Sequence, residues 1–211
     1  TLLFEEDNLW IGSKGYEVGR GVTKLNINNF QTDHYDFDIT VNMNLTEVHS
    51  MHYFDNNLWI GGNGLVLYFD REENYWRTLG EDRGIPQSDI TSMIGDSNYI
   101  WIGSYYGIRQ IDRNSKREEP MGFEYLFYNH PVNDLEINKY GVWIASRTGI
   151  YVYDKDNPQI MNALSMGISY LDFPISRVTS IFQRKNIIYF ATNIGVVTFD
   201  MDEQIWDMMV P

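Results

Sequence analysis

One short motif recurs five times along this chain and constrains its fold more than any other feature. In each copy an aromatic residue lies within an apolar run, as in Asn98-Tyr-Ile-Trp-Ile-Gly103, and a turn containing glycine leads to a second run. The aromatic positions, which are 49, 42, 42 and 46 residues apart, are Trp10, Trp59, Trp101, Trp143 and Tyr189. A period in the forties built from short strands is typical of a β-propeller, in which each repeat forms one four-stranded blade.

The third repeat shows most clearly how four strands fit into one period. Residues 89–95 alternate apolar and polar side chains as an inner strand does, and residues 99–103 and 108–112 form the central hairpin. Residues 125–128 are predicted to be the outer strand. The sequence therefore predicts an all-β protein, a β-propeller with five four-stranded antiparallel blades, and the alternative is an arc of a larger propeller.

We expect a single propeller domain over residues 1–211. Its five blades are expected to cover residues 1–40, 41–80, 81–130, 131–171 and 172–211. The central hairpin of blade one is five residues longer than the others, and the extra residues fall within residues 13–21. Because function tends to be placed in loops that depart from a repeated scaffold, this loop is expected to form one wall of a binding site.

Repeated positions inside the blades have structural explanations. The tryptophan anchors are expected to fill the widening gap between neighbouring blades, because Trp buries a large apolar area. Trp76 and Trp206, in outer strands, are expected to pack in the same way. The second strand of each hairpin ends at a side chain that is expected to hydrogen-bond its own backbone rather than calcium; these residues are Asn26, Asp70, Asp112, Asp154 and Asp200.

Charge and composition exclude several classes of partner and site. The chain has 16 Lys and Arg against 29 Asp and Glu, a net charge of −13, so nucleic acid and other polyanions are not expected partners. It contains no cysteine, which excludes disulfides, thiolate metal sites and a cysteine nucleophile. No apolar run approaches roughly 18 residues, so this segment is not expected to insert into a membrane. The chain begins at Thr1, as a processed protein or an excised domain would.

Binding residues are expected on the face where the central hairpins meet the linkers between blades. Aromatic, guanidinium and amide side chains there offer stacking surfaces and hydrogen bonds to a sugar, a small molecule or a peptide. The hairpins contribute the predicted ligand-binding set, which is Tyr16, Glu17, Arg20, Asn63, Tyr105, Tyr106, Arg147 and Asn193. The linkers add Arg83, Gln87, His130 and Asn133. The alternative is that these side chains are polar only because the hairpins are solvated.

The sequence carries no recognisable catalytic or metal-binding motif. His49 and His52 are three residues apart on a predicted strand, so they face opposite sides and cannot share a metal ion. No metalloprotease motif, nucleophile elbow or phosphate-binding glycine loop is present. We therefore expect no enzyme activity, no cofactor and no metal. The alternative is a propeller lyase or hydrolase whose acid and base come from separate blades.

Three stretches of the chain resemble the two-component regulator propeller family: Leu58-Trp-Ile-Gly61, Ile100-Trp-Ile-Gly103 and the linker Gly84-Ile-Pro86. The resemblance extends over essentially the whole chain, although Ala145 replaces the motif glycine in blade four. It implies a periplasmic ligand-sensing region of a hybrid histidine kinase, often one for glycans, or a domain of another secreted or surface protein. These residues contain no kinase, receiver or DNA-binding segment.

Two functions of different classes fit this sequence. The first is a non-catalytic ligand-sensing domain, periplasmic or extracellular, with a small-molecule or glycan site at the axial mouth of the propeller. The second is a scaffold for protein–protein interactions within a larger surface or secreted assembly. A compact pocket walled by Tyr105, Tyr106 and Arg147 would favour the first function, and a broad exposed apolar patch would favour the second.

Overall fold

The computed structural model describes residues 1–13, 21–37, 47–54, 56–163, 167 and 177–209. These residues form five antiparallel sheets, each of which contains four strands that neighbour one another in chain order. The predicted fold class is confirmed: the chain is an all-β protein of the β-propeller class with five four-stranded blades.

The strands of the five blades follow one another regularly along the chain. Blade one contains β1 (Leu2–Glu5), β2 (Asn8–Gly12), β3 (Val22–Asn26) and β4 (Thr32–Tyr35). Blade two contains β5 (Ser50–Phe54), β6 (Asn57–Gly61), β7 (Val66–Asp70) and β8 (Tyr75–Leu79). Blade three contains β9 (Ile90–Gly95), β10 (Tyr99–Ser104), β11 (Gly107–Asp112) and β12 (Arg117–Glu118). Blade four contains β13 (Val132–Asn138), β14 (Gly141–Ser146), β15 (Gly149–Asp154) and β16 (Gln159–Asn162). Blade five contains β17 (Val178–Arg184), β18 (Ile187–Thr192), β19 (Gly195–Asp200) and β20 (Ile205–Met209).

The chain divides into two compact units. Unit one consists of Thr1–Ser104 and Arg109–Glu119, and it holds blades one and two with most of blade three. Unit two consists of Tyr105–Ile108 and Pro120–Pro211, and it holds blades four and five with the hairpin turn of blade three.

In unit one the anchors Trp10 and Trp59 pack between neighbouring blades, as predicted. Trp10 of blade one shares a buried cluster with Trp76 of blade two, and Trp59 of blade two shares another with Ile90 of blade three. The glycine of the motif allows this close packing. A Cβ on Gly61 would lie 2.5 Å from Cγ2 of Ile90, which is closer than side-chain carbons approach one another.

In unit two the anchor of blade four lies at the centre of an aromatic cluster. The ring of Trp143 is 5.5 Å from those of Phe190 and Phe199 and 6.2 Å from that of Trp206, all of blade five. Trp143 and Trp206 are almost completely buried, so the packing role predicted for both is confirmed. Large aromatic side chains in this position supply most of the apolar area that joins one blade to the next.

The prediction of an outer strand at residues 125–128 is wrong. Glu124–Phe127 forms a 3₁₀ helix, and the fourth strand of blade three is the two-residue β12. Pro120 has no N–H group with which to extend β12, and Gly122 then turns the chain with a φ of 85°. Phe123 and Phe127 are buried four residues apart, which is a helical spacing rather than the alternation of a strand.

The turn-forming role predicted for the residue at the end of each third strand is confirmed. In every blade a side-chain oxygen of this residue accepts hydrogen bonds from backbone N–H groups two or three positions later, as Asp200 does from Asp202 and Glu203. The remaining residues of the set are Asn26, Asp70, Asp112 and Asp154. These N–H groups lower the pKa of the carboxyl groups of Asp70, Asp112 and Asp200, because they stabilise the charged form.

Candidate functional site

The central hairpin of blade two and the linker to blade three line an open surface cavity of about 420 Å³, which we call the hairpin cavity. It is lined by Asn63, Gly64, Gln87, Ser88 and Asp89, all of unit one. Gly64 has a φ of 67°, and its N–H donates a 2.9 Å hydrogen bond to the carbonyl of Ser88. A Cβ on Gly64 would lie 3.3 Å from the Cα of Gln87, so glycine lets the hairpin lie directly against the linker.

The polar groups at the hairpin cavity form a connected cluster. Nδ2 of Asn63 donates a 2.6 Å hydrogen bond to Oδ1 of Asp89, and Nε2 of His49 lies 3.2 Å from Nδ2 of Asn63. The same imidazole nitrogen is 3.5 Å from Asp89 and 3.4 Å from Oε2 of Glu47. The hydroxyl of Ser88 is buried and has no hydrogen-bond partner among the described residues. A buried hydroxyl normally finds a partner, so this unsatisfied oxygen beside the cavity calls for an explanation.

The chemistry of the hairpin cavity suits hydrogen bonding rather than metal binding. The cavity is lined by the amides of Asn63 and Gln87, the carboxylate of Asp89 and the hydroxyl of Ser88. Together these groups can donate hydrogen bonds to a polar ligand and accept them from it. In the part of the chain that the structure describes, no group of three or more histidine, aspartate or glutamate side chains is placed to hold a metal ion.

The predicted residues Tyr105 and Tyr106 lie on a second surface, in unit two. Both are about half exposed, at the hairpin turn of blade three. The turn lies against the 3₁₀ helix of the next linker, because a Cβ on Gly107 would be only 2.8 Å from the carbonyl oxygen of Phe127. That helix and its end expose Tyr125 to 73% and Tyr128 to 69%. We call these four tyrosines the tyrosine surface.

Buried aromatic packing supports the tyrosine surface. The ring of Phe127 is completely buried and meets that of Tyr151 edge to face at a centroid distance of 5.0 Å. Phe123 packs against Phe127 from the same linker at 6.2 Å. The sequence does not identify Tyr125 and Tyr128 as site residues, because it predicts an outer strand for residues 125–128.

The other predicted hairpin residues have separate positions. Arg147 is exposed, and its backbone N–H donates to the carbonyl of Pro131 at 3.4 Å. Asn193 is also exposed, but its Oδ1 accepts a 3.1 Å hydrogen bond from the backbone N–H of Arg177, so the amide already holds its own linker. Tyr16, Glu17 and Arg20, together with most of the long hairpin of blade one, lie outside the described residues.

The linker residues also differ in what they do. Gln87 lines the hairpin cavity, as the prediction for this face requires. Asn133 donates a 2.6 Å hydrogen bond from Nδ2 to the carbonyl of Val178, which joins the inner strands of blades four and five. His130 is exposed, and Arg83 donates to the carbonyl of Ser115 at 3.3 Å.

Two inner strands each carry a desolvated titratable side chain, and each of these lies opposite the tryptophan anchor of the neighbouring strand. His52 pairs in register with Trp59, and Glu136 pairs with Trp143. Burial lowers the pKa of His52 and raises that of Glu136, because both environments disfavour the charged form. They belong to different units, and neither lines the hairpin cavity.

Neither a family model nor a curated protein sequence matches the chain. Solved structures do. The extracellular domain of a proposed hybrid two-component system of B. thetaiotaomicron is 14% identical, with a TM-score of 0.74 over 97% of this chain. The extracellular domain of a second such system from the same organism is 16% identical, with a TM-score of 0.73 over 93% of this chain.

The resemblance to the two-component regulator propeller is thus confirmed at the level of the fold. A third structure is PorZ, a surface component of the type-IX secretion system of Porphyromonas gingivalis, which is 15% identical with a TM-score of 0.62 over the whole of this chain. The chain spans only 26 to 27% of the length of these three structures. Among the described residues, no helix has the length and apolar character needed to cross a membrane.

Proposed function

We propose that this chain is a non-catalytic ligand-sensing domain that binds a small molecule or a glycan at the hairpin cavity. Two of the structures with the same fold are extracellular domains of hybrid two-component systems, which supports a sensor-type propeller that works in the periplasm or outside the cell. Two residues of the predicted binding face, Asn63 of the hairpins and Gln87 of the linkers, line this cavity, and we propose that they contact the ligand.

The observation that carries the proposal is the buried, unpartnered hydroxyl of Ser88 in a cavity of about 420 Å³. Small-molecule sites usually have volumes of roughly 300–1,000 Å³ and a few convergent polar groups. A ligand hydroxyl that bonds to Ser88 would satisfy an oxygen that the protein leaves unsatisfied, and Asn63 and Asp89 supply a donor and an acceptor beside it.

The test is a binding screen followed by calorimetry. Thermal shifts are measured with a panel of neutral mono- and disaccharides and other polar metabolites, and each hit is titrated against the parent protein, Ser88→Ala and Gln87→Ala. We expect both variants to weaken binding at least tenfold. Gln159→Ala, an exposed glutamine of blade four, is the matched control and should bind normally. Equal affinity in all four proteins would contradict the proposal.

The tyrosine surface favours the second function, a scaffold for protein–protein interactions. Exposed tyrosines are typical of protein interfaces because each offers an apolar ring and a hydroxyl. A photo-cross-linking residue at position 125 should then give a discrete protein adduct in cells, whereas the same residue at position 30, an exposed phenylalanine of blade one, should not. Identical adduct patterns from the two positions would remove this candidate.

A further inference from the structure

Unit one contains a second cavity, a groove of about 390 Å³ along the outer strand of blade two. We call it the β8 groove. It shares no lining residue with the hairpin cavity. The side chains that matter for its chemistry are those of Tyr75, Arg77, Arg83 and Lys116, with Tyr68 and Ser115 beside them.

The turn before the short outer strand of blade three forms one edge of this groove. β12 has two residues, whereas the fourth strands of the other blades have four or five. It pairs with β11 only at Ile111 and Asp112. The turn before β12 places Ser115 and Lys116 at the edge of the opening.

Lys116 lines the groove, and among the described residues no ion pair balances its charge. Its backbone has a φ of 55°, and its Nζ lies 5.3 Å from the ring centroids of both Trp59 and Tyr68. No carboxylate of the described residues lies within 4 Å of this nitrogen. Burial lowers the pKa of Lys116, and the nearby Arg113 lowers it further, against smaller opposite effects of Asp112 and Asp70. An ammonium in this position is stabilised when an anion binds beside it.

Arg83 supplies a second cation to the lining of the same groove. Its Nη1 donates to the carbonyl of Ser115 at 3.3 Å, which ties the guanidinium to the residue that precedes Lys116. The Nε of Arg83 lies 3.3 Å from a carboxylate oxygen of Asp82 on the surface. An exposed ion pair of this kind contributes little to stability. Arg77, by contrast, is already paired with two carboxylates of blade two, at 3.2 and 2.5 Å. Lys116 and Arg83 are therefore the cations available to a ligand.

We propose that the β8 groove is a second ligand site, which binds a small molecule through its carboxylate or phosphate group on Lys116 and Arg83. A guanidinium and an ammonium that line the same groove can bind such groups through short, charge-assisted hydrogen bonds. The half-exposed ring of Tyr75 at the rim offers a stacking surface to the body of the ligand. The site is separate from the proposed hairpin site and does not depend on it.

The probes are inorganic phosphate and gluconate, with sorbitol as the neutral counterpart of gluconate. Each is titrated into the chain by calorimetry at low ionic strength and again at higher salt. We expect saturable binding of phosphate, gluconate or both, and none of sorbitol. If only one of the two anions binds, the result shows whether the groove takes a phosphate or a carboxylate group. Absence of saturable binding by both anions at millimolar concentration would overturn the proposal.

Three variants distinguish the groove from general attraction of anions to the surface. Lys116→Gln and Arg83→Gln should each weaken anion binding at least tenfold. Lys185→Gln is the matched control, because Lys185 has the same φ of 55° in an exposed turn of blade five, and it should bind as the parent does. If Lys116→Gln does not fold, as judged by circular dichroism, the surface variant Arg83→Gln carries the test. Unchanged affinity in the folded groove variants, or equal loss in Lys185→Gln, would overturn the assignment.

Discussion

The indole nitrogen of Trp10 donates a 2.7 Å hydrogen bond to the carboxylate of Glu5, five residues earlier in the same blade. The other oxygen of Glu5 forms an ion pair with Arg71, which projects from the turn after β7 of blade two. The Glu5 side chain is 6% exposed and that of Arg71 is 30% exposed. The buried carboxylate of Glu5 thus accepts the hydrogen bond of the Trp10 anchor and, through Arg71, joins blade one to blade two.

The first prediction concerns this carboxylate. Glu5→Gln keeps the shape of the side chain but removes its charge, which weakens the hydrogen bond from Trp10 and leaves Arg71 unpaired. We expect a loss of about 1–3 kcal/mol in the free energy of unfolding, measured by urea denaturation. The neighbouring exposed residue gives the control, Glu6→Gln, which should change stability by less than about 0.5 kcal/mol. Equal effects of the two substitutions would refute the role of Glu5.

The second prediction follows from a difference between the tryptophan anchors. Trp101 donates a 2.9 Å hydrogen bond to Gln110, whereas the buried nitrogen of Trp59 has no partner among the described residues. In blade two the rings of Phe54 and Tyr68 stack on Trp59 instead, at centroid distances of 5.0 and 4.6 Å. Trp101→Phe should therefore cost about 1–2 kcal/mol more than Trp59→Phe, because it leaves the buried Gln110 acceptor unsatisfied. Denaturation of both variants under the same conditions makes the comparison.

The third prediction tests the packing role of the anchor itself. Trp101 is completely buried, and Trp101→Ala should cost about 3–5 kcal/mol, the range for emptying a large aromatic site in a core. Differential scanning calorimetry measures the fall in Tm. An unchanged Tm in the variant would show that the repeated tryptophan does not hold the blades together.

The fourth prediction concerns acid stability. The backbone N–H groups of Glu203 and Asp202 hold the pKa of Asp200 below its ordinary value of 3.8. A group with a depressed pKa in the folded state stabilises the protein above its unfolded pKa, and that stability is lost as the pH falls through the folded pKa. Asp200→Asn should therefore be less stable than the parent at neutral pH, and the difference should shrink below about pH 4. A difference that is constant from pH 7 to pH 3 would contradict the assignment.

The sequence determined the blades because each depends on local signals that repeat. The apolar alternation, the anchor and the glycine of the hairpin lie within one short stretch, so the same pattern identifies them five times. The outer strand of blade three lacked such a signal. Its two residues, Arg117 and Glu118, are charged and exposed, while the aromatic residues 125–128 that follow have strand-like composition.

The candidate sites were only partly predictable for a related reason. Asn63 and Gln87 could be placed on one face because hairpins and linkers of a propeller meet there. His49, which contacts Asn63 and Asp89, and Ser88, which lines the cavity, come from two different linkers. They are 39 positions apart in the sequence, and no sequence pattern marks their convergence. Whether a hydroxyl such as that of Ser88 is buried and unpartnered depends on tertiary packing, which a single sequence does not reveal.

The most direct test of the proposed function is a crystal structure of the chain with a saccharide or metabolite that the binding screen identifies. We predict difference density in the hairpin cavity, with a ligand oxygen within hydrogen-bond distance of Oγ of Ser88 and a second polar atom on Asn63 or Asp89. A ligand bound only on the tyrosine surface, with the hairpin cavity holding water alone, would contradict the account.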